Sequence, residues 1–268
     1  MNTLFKIIQT IFTIFFVLGS YSYAFTQTVE RMTPEDTEWY NPVPPKVVPG
    51  ENVFLNPSSD AIILFDGSDM SKWQSSDGGE VPWNINHGYI TVEAGTGDIQ
   101  TKQSFENFQL YLEFKMPFNN SHEGQDRGNS GIYLQNKYEI QVLDAWENPT
   151  YVNGMGGSVY KQTAPLVNPA KRPGKWQSYN ILFTAPEFND DGDLISSARV
   201  TVIWNGVVVQ NNTEILGHTP YVGYPEYTPH GDGPIRLQDH NSEVSYRNIW
   251  IRELNLDQQF SIRKYIYE

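Results

Sequence analysis

Thr201-Val202-Ile203-Trp204-Asn205-Gly206-Val207-Val208-Val209-Gln210 reads as two β-type runs flanking a two-residue turn. Asn-Gly is a strong hairpin signal, because both central positions of the turn that suits twisted strands need positive φ. Working outward, short runs of the same kind recur between Gly, Asn, Asp and Pro turns, at 62–65, 89–93, 108–116, 131–134, 139–143, 179–184, 198–204, 235–238 and 244–254. Asn86-His87-Gly88 resembles a second such turn ahead of Tyr89. Many short strands with almost no long 3.6-residue periodicity predict an all-β chain, an antiparallel two-sheet β-sandwich over 60–256, with no internal repeat.

Upstream, Pro42, Pro44, Pro45, Pro49 and Pro57 exclude helix and central strand, so 25–59 reads as an extended leader. Residues 1–24 carry the marks of a secretory signal: Lys6, an apolar run from Ile7 to Leu18, and Ser22-Tyr23-Ala24 as a small-x-small cleavage site. That run is shorter than the ~20 residues that span a bilayer. The expectation is an exported protein, periplasmic or secreted, with no membrane attachment once the signal is removed. Residues 257–268 form a C-terminal tail, and the oligomeric state is left open.

The absence of cysteine excludes a disulfide framework, a thiolate-held metal and a cysteine nucleophile. A net charge of −13 argues against nucleic acid, whose phosphates need a basic surface. Seven Trp, sixteen Tyr and fourteen Phe exceed the needs of one core, and the surplus suits stacking on a neutral ligand.

Alternation along a strand places polar residues in two rows. Glu139 and Gln141 share one face of their run, opposite Tyr138, Ile140 and Val142. In Ile235-Arg236-Leu237-Gln238-Asp239-His240 the same parity turns Arg236, Gln238 and His240 to the other side from Ile235 and Leu237. If both rows share one sheet, they form a polar groove holding an acid, an imidazole and a guanidinium. Solvent-facing polar residues are ordinary on a sheet, and only their clustering on two otherwise well-patterned strands points to a site. Arg127-Gly128-Asn129-Ser130-Gly131 is a polar, glycine-flanked entry to a strand.

Several chemistries are disfavoured. Sandwich glucanases place paired acids as Glu-x-Asp-x-Glu, whereas here the strand reads Glu139-Ile140-Gln141-Val142-Leu143-Asp144, and Asp144 has the wrong parity to join Glu139. No Gly-x-Ser-x-Gly elbow, His-Glu-x-x-His or phosphate loop is present. Asn189-Asp190-Asp191-Gly192-Asp193 lacks the closing glutamate of a calcium loop, Ala198 standing there, and reads as a turn.

Taken together, Leu64-Phe65-Asp66-Gly67 with Trp73, Gly128-Asn129-Ser130-Gly131-Ile132-Tyr133-Leu134, Tyr138 to Asp144, Pro173-Gly174-Lys175-Trp176, Gly233 to His240 and Tyr246 to Arg252 resemble the 3-keto-disaccharide hydrolase family. The resemblance runs from about Ile62 to Leu254 and implies a concanavalin A-like jelly roll acting on 3-keto-glycosides. A ketone at C3 acidifies the C2 proton, so one base can form an enolate that expels the C1 aglycone, and water then adds to the enone. Mapped onto this chain, Glu139 or His240 is the base and Arg236 the enolate stabiliser. Arg127, Asn129, Gln141, Asp144, Lys161 and Gln238 are sugar contacts, with Tyr133, Trp146 and Trp176 as a stacking wall. The route needs a donor or a metal at the enolate oxygen, and no cofactor is certain; Glu139 with His240 suits a divalent metal, but two ligands do not define one. The alternatives are a carbohydrate-binding module without catalysis, and a conventional glycoside hydrolase using Asp144 or Glu243 as a second carboxylate.

Overall fold

The computed structural model describes residues 31–51, 54–118 and 122–256; the proposed signal at 1–24 and the tail at 257–268 lie outside the described residues. In chain order the strands are β1 Ile62–Phe65, β2 Trp73–Ser75, β3 Asn84–Asn86, β4 Tyr89–Thr91, β5 Ile99–Thr101, β6 Phe108–Lys115, β7 Ser130–Leu134 and β8 Tyr138–Val142. There follow β9 Trp176–Thr184, β10 Glu187–Phe188, β11 Leu194–Ser196, β12 Arg199–Trp204, β13 Val207–Glu214, β14 Arg236–Leu237 and β15 Ser245–Glu253. Among the described residues there is no α-helix, only three short 3₁₀ turns.

The fold is an antiparallel two-sheet sandwich of jelly-roll type. One sheet runs β13-β12-β9-β6-β15-β4-β3, with β1 also pairing β15, and the other runs β2-β5-β14-β7-β8. The alternation of β6 sends Phe108, Leu110, Leu112 and Phe114 into the core, where all are fully buried. Each such side chain contributes about 1.5–3 kcal/mol by leaving water. From the smaller sheet, Leu237, Ile132 and Ile140 line up across β14, β7 and β8 and meet that core. The next row, Arg236–Tyr133–Glu139, therefore faces the other way.

The turns match their sequence chemistry. Asn205 and Gly206 have φ of 51° and 80°, and His87 and Gly88 of 51° and 78°. In 189–193, Asn189 Oδ1 accepts from the backbone N–H groups of Asp191 and Asp193, which makes the acidic stretch a turn between β10 and β11. The strands that sequence alone does not reveal, β2, β3, β5, β10 and β11, have three residues or fewer, too few to display a period.

One irregular segment supplies a residue of the site, and the leader is tied to it. Residues 157–160 run along the outer edge of β8, with Gln141 N–H donating to Ser158 O at 3.0 Å and Tyr160 N–H to Glu139 O at 3.1 Å. The described residues of the leader, 31–51 and 54–59, hold a 3₁₀ turn at Pro34–Thr37 and are tied to the 151–161 segment. Asn153 Nδ2 donates to Thr37 O at 2.9 Å, and Trp39 N–H donates to Asn153 Oδ1 at 3.0 Å.

Candidate active site

On the face of the smaller sheet turned away from the core lies a cavity of about 270 Å³. At ~30 Å³ per water this is the space of about nine waters, enough for one sugar ring. Its floor comes from the strands: Glu139 and Gln141 on β8, Tyr133 on β7, Asn129 just before β7 and Gln238 just after β14. Tyr160, Thr219, Tyr221 and His240 form its walls and rim.

Glu139 is 3% exposed. Its Oε2 accepts from the Tyr133 hydroxyl at 2.9 Å, and its backbone N–H donates to Thr219 Oγ1 at 3.0 Å. Burial pushes the carboxyl up to about 7, although the Tyr133 hydrogen bond and the Arg236 charge both favour the anion. Burial, and next the Glu139 charge, raise the Tyr133 phenol well above its ordinary value.

The two glutamines are unfinished. Gln141 Nε2 donates to Gln125 Oε1 at 3.1 Å and Gly154 O at 3.2 Å, and Gln238 Nε2 to the Tyr133 oxygen at 3.3 Å. Both Oε1 atoms are buried without a partner among the described residues. A buried acceptor left unpaired costs about 1–3 kcal/mol, so two of them beside a cavity mark places for ligand hydroxyl donors.

Four of the five residues expected to share a concavity, Glu139, Gln141, Gln238 and His240, do line it. Arg236 does not: its guanidinium lies 3.7 Å from the Tyr133 ring centroid and pairs with Asp98. Opposite Tyr133 in register, it supports that ring from behind instead of reaching a substrate oxygen. Arg127 and Asp144 pair with each other at 2.7 Å, and Asp144 Oδ1 accepts from Trp146 N–H, so neither is a lining residue. Lys161 is buried outside the lining, donating to Pro34 O at 2.7 Å and Tyr221 O at 2.9 Å.

The expected stacking wall is also reduced to Tyr133. Trp146 carries Lys46 at 3.6 Å from its ring centroid, and Trp176 belongs to the larger sheet with Arg247 at 4.1 Å. In its place the structure supplies Tyr160 and Tyr221, from segments without strand periodicity. Only the surplus of tyrosine hinted at them. Glu243 lines a separate hollow with Tyr89 and Lys115. No group of three or more His, Asp and Glu that could hold a metal occurs among the described residues. Glu139 and His240 alone are fewer protein ligands than a catalytic metal usually has.

Residues 60–252 match the family model of the 3-keto-alpha-glucoside-1,2-lyase-like domain. A 3-keto-disaccharide hydrolase from Bacteroides thetaiotaomicron is 23% identical over 242 residues, 72% of this chain and 78% of the relative. A crystal structure from Parabacteroides distasonis, provisionally described as a glycosyl hydrolase, is 52% identical with a TM-score of 0.74, covering 83% of this chain and 97% of that one. A second protein of that organism, with the same description, is 22% identical with a TM-score of 0.54 over 73% and 94% of the two chains, and shares the fold.

Proposed function

The chain belongs to the family of 3-keto-alpha-glucoside-1,2-lyase-like domains, and on that premise we propose that it cleaves 3-keto-glycosides with Glu139 as the base that removes the C2 proton. The observation that carries this reading is a single carboxyl, buried in a sugar-sized cavity and held up to about 7. A base whose proton affinity lies near neutrality is ionised often enough to act and basic enough to pull. Beside a C3 ketone the C2 proton is acidic enough for such a base.

In this route Glu139 takes the proton from C2, the electron pair is held as the enolate, and its collapse expels the oxygen on C1. Water adds to the resulting enone. The unpaired Gln141 and Gln238 carbonyls accept sugar hydroxyls and orient the ring. The route is favoured over paired-carboxylate hydrolysis because Asp144 is held by Arg127 and Glu243 lies elsewhere. Glu139 is preferred to His240, which is exposed at the rim.

The test pairs glucosides with their 3-keto counterparts, using purified protein. Turnover of the keto compounds alone, with a primary isotope effect on a C2-deuterated substrate, is the expected result. Cleavage of the unoxidised glucosides overturns the route in favour of ordinary hydrolysis, and saturable sugar binding without turnover supports a binding module. Export directed by residues 1–24 is part of the same proposal, tested by N-terminal sequencing of the protein recovered outside the cytoplasm.

A further inference from the structure

We propose that Tyr133 is the general acid of this reaction, passing its phenolic proton to the departing aglycone oxygen and recovering a proton from Glu139. The inference rests on the reading above and adds the group that the base alone leaves unspecified. An alkoxide is a poor leaving group in a dry site, so the C1 oxygen needs a proton donor within reach of the same sugar ring. Tyr133 lines the cavity beside Glu139, and its hydroxyl is 2.9 Å from the Glu139 carboxylate.

The steps balance. The C2–H bond breaks, its proton goes to Glu139, and its electron pair becomes the enolate. The enolate re-forms the C3 carbonyl and makes the C1–C2 double bond while the C1–O bond breaks. The aglycone oxygen takes the pair and the Tyr133 proton, leaving as an alcohol. Glu139, now a carboxylic acid, returns its proton to the Tyr133 phenolate across the existing hydrogen bond. The protein ends as it began, with no co-reactant consumed.

Two neighbours suit a phenol that is briefly an anion. The Arg236 guanidinium lies 3.7 Å from the centre of the Tyr133 ring, where a cation stabilises negative charge spreading into the π system. Gln238 Nε2 donates toward the phenolic oxygen at 3.3 Å. Arg236 acts only through Tyr133 and is a positioning residue, whereas Gln238 serves both the phenol, by its amide N–H, and the sugar, by its free carbonyl. Asp98 fixes Arg236 by an ion pair and accepts Asp239 N–H at 2.8 Å, so the cation is held in place from outside the cavity.

The experiment measures kcat/KM of the wild type and Tyr133→Phe on 3-keto-glucosides whose aglycones range from nitrophenols to simple alcohols. The acid role predicts a loss of ~10²–10⁴ for alcohols, shrinking to under about tenfold for nitrophenols, which leave without a proton. An equal loss across the series, or no loss, overturns the assignment while leaving Glu139 as base. If the wild type turns over none of the keto substrates, the proposed function falls and this inference with it. Should Tyr133→Phe fail to fold, a fluorinated tyrosine at 133 keeps the shape and makes the phenol a stronger acid, which lessens the dependence of kcat/KM on the aglycone. An unchanged dependence overturns the inference.

Discussion

A Cβ placed on Gly131 would lie 2.4 Å from Glu139 Oε1, so the carboxyl of the cavity floor rests against a backbone that carries no side chain. Tyr133 Cε2 would be 3.0 Å from the same Cβ, which means that one methyl group disturbs both residues assigned to proton transfer. Gly131→Ala is expected to fold, because the tip of Glu139 can swing aside. Turnover of a 3-keto-glucoside should fall at least tenfold with only a modest drop in Tm. Thermal melts and steady-state kinetics on the same preparation check this, and retained turnover would mean that Glu139 tolerates displacement.

Glu139 should make activity rise with pH and stability fall. As its carboxyl is held up to about 7, kcat/KM should increase through that pH as the base ionises. In the unfolded chain the same group ionises near 4.5, so between 4.5 and 7 the folded state binds the extra proton and stability declines as pH rises. The cost above pH 7 is on the order of 3 kcal/mol. Glu139→Gln should therefore lower turnover ~10²–10⁴-fold yet melt higher than wild type at pH 8. A variant that is both inactive and less stable would contradict the electrostatic account.

A histidine pair behind β8 should govern the acid side. His218 and His230 have ring centroids 5.5 Å apart, Tyr138 OH donates to His230 Nε2, and His218 Nε2 is buried without a partner among the described residues. Burial and the charge of Lys137 push His218 down to about 4, and burial lowers His230 as well. Below pH 6.5 these two histidines take up protons in the unfolded chain that they refuse in the folded one, so their contribution, opposite in slope to that of Glu139, lowers stability as pH falls from about 6.5 towards 4. His218→Phe should flatten that loss in melts recorded across the window. Parallel curves for variant and wild type would remove the pair as its cause.

Lys161 should matter through what it fastens. Its ammonium joins Pro34 O in the leader to Tyr221 O at the cavity rim, with Glu38 Oε1 3.8 Å away. Lys161→Met is expected to raise KM several-fold with little change in kcat, and to speed proteolysis within the leader. Limited digestion followed by N-terminal sequencing reads the second effect independently of any substrate.

The parts of this site legible in sequence are those controlled by alternation. Tyr138 to Val142 divided correctly into core and cavity faces, and Gln238 followed from the same parity. Arg236 shows where parity stops: it gives the face but not the partner, and Asp98, 138 residues away in sequence, captured the guanidinium. Trp146 and Trp176 were attractive as residue types, yet cations occupy their rings. Tyr160, Thr219 and Tyr221 sit on irregular segments whose paths are set by distant hydrogen bonds, such as Thr219 N–H to Lys137 O at 2.9 Å. No local pattern encodes such pairings.

The lining of the cavity contains one carboxyl and one imidazole but neither lysine nor arginine, for Arg127 pairs with Asp144, Arg236 with Asp98, and Lys161 donates to the backbone carbonyls of Pro34 and Tyr221. A phosphorylated sugar entering there would shed water beside Glu139 with no ammonium or guanidinium to replace it. On the proposed function, such a lining disfavours sugar phosphates relative to uncharged glycosides before any hydroxyl is read.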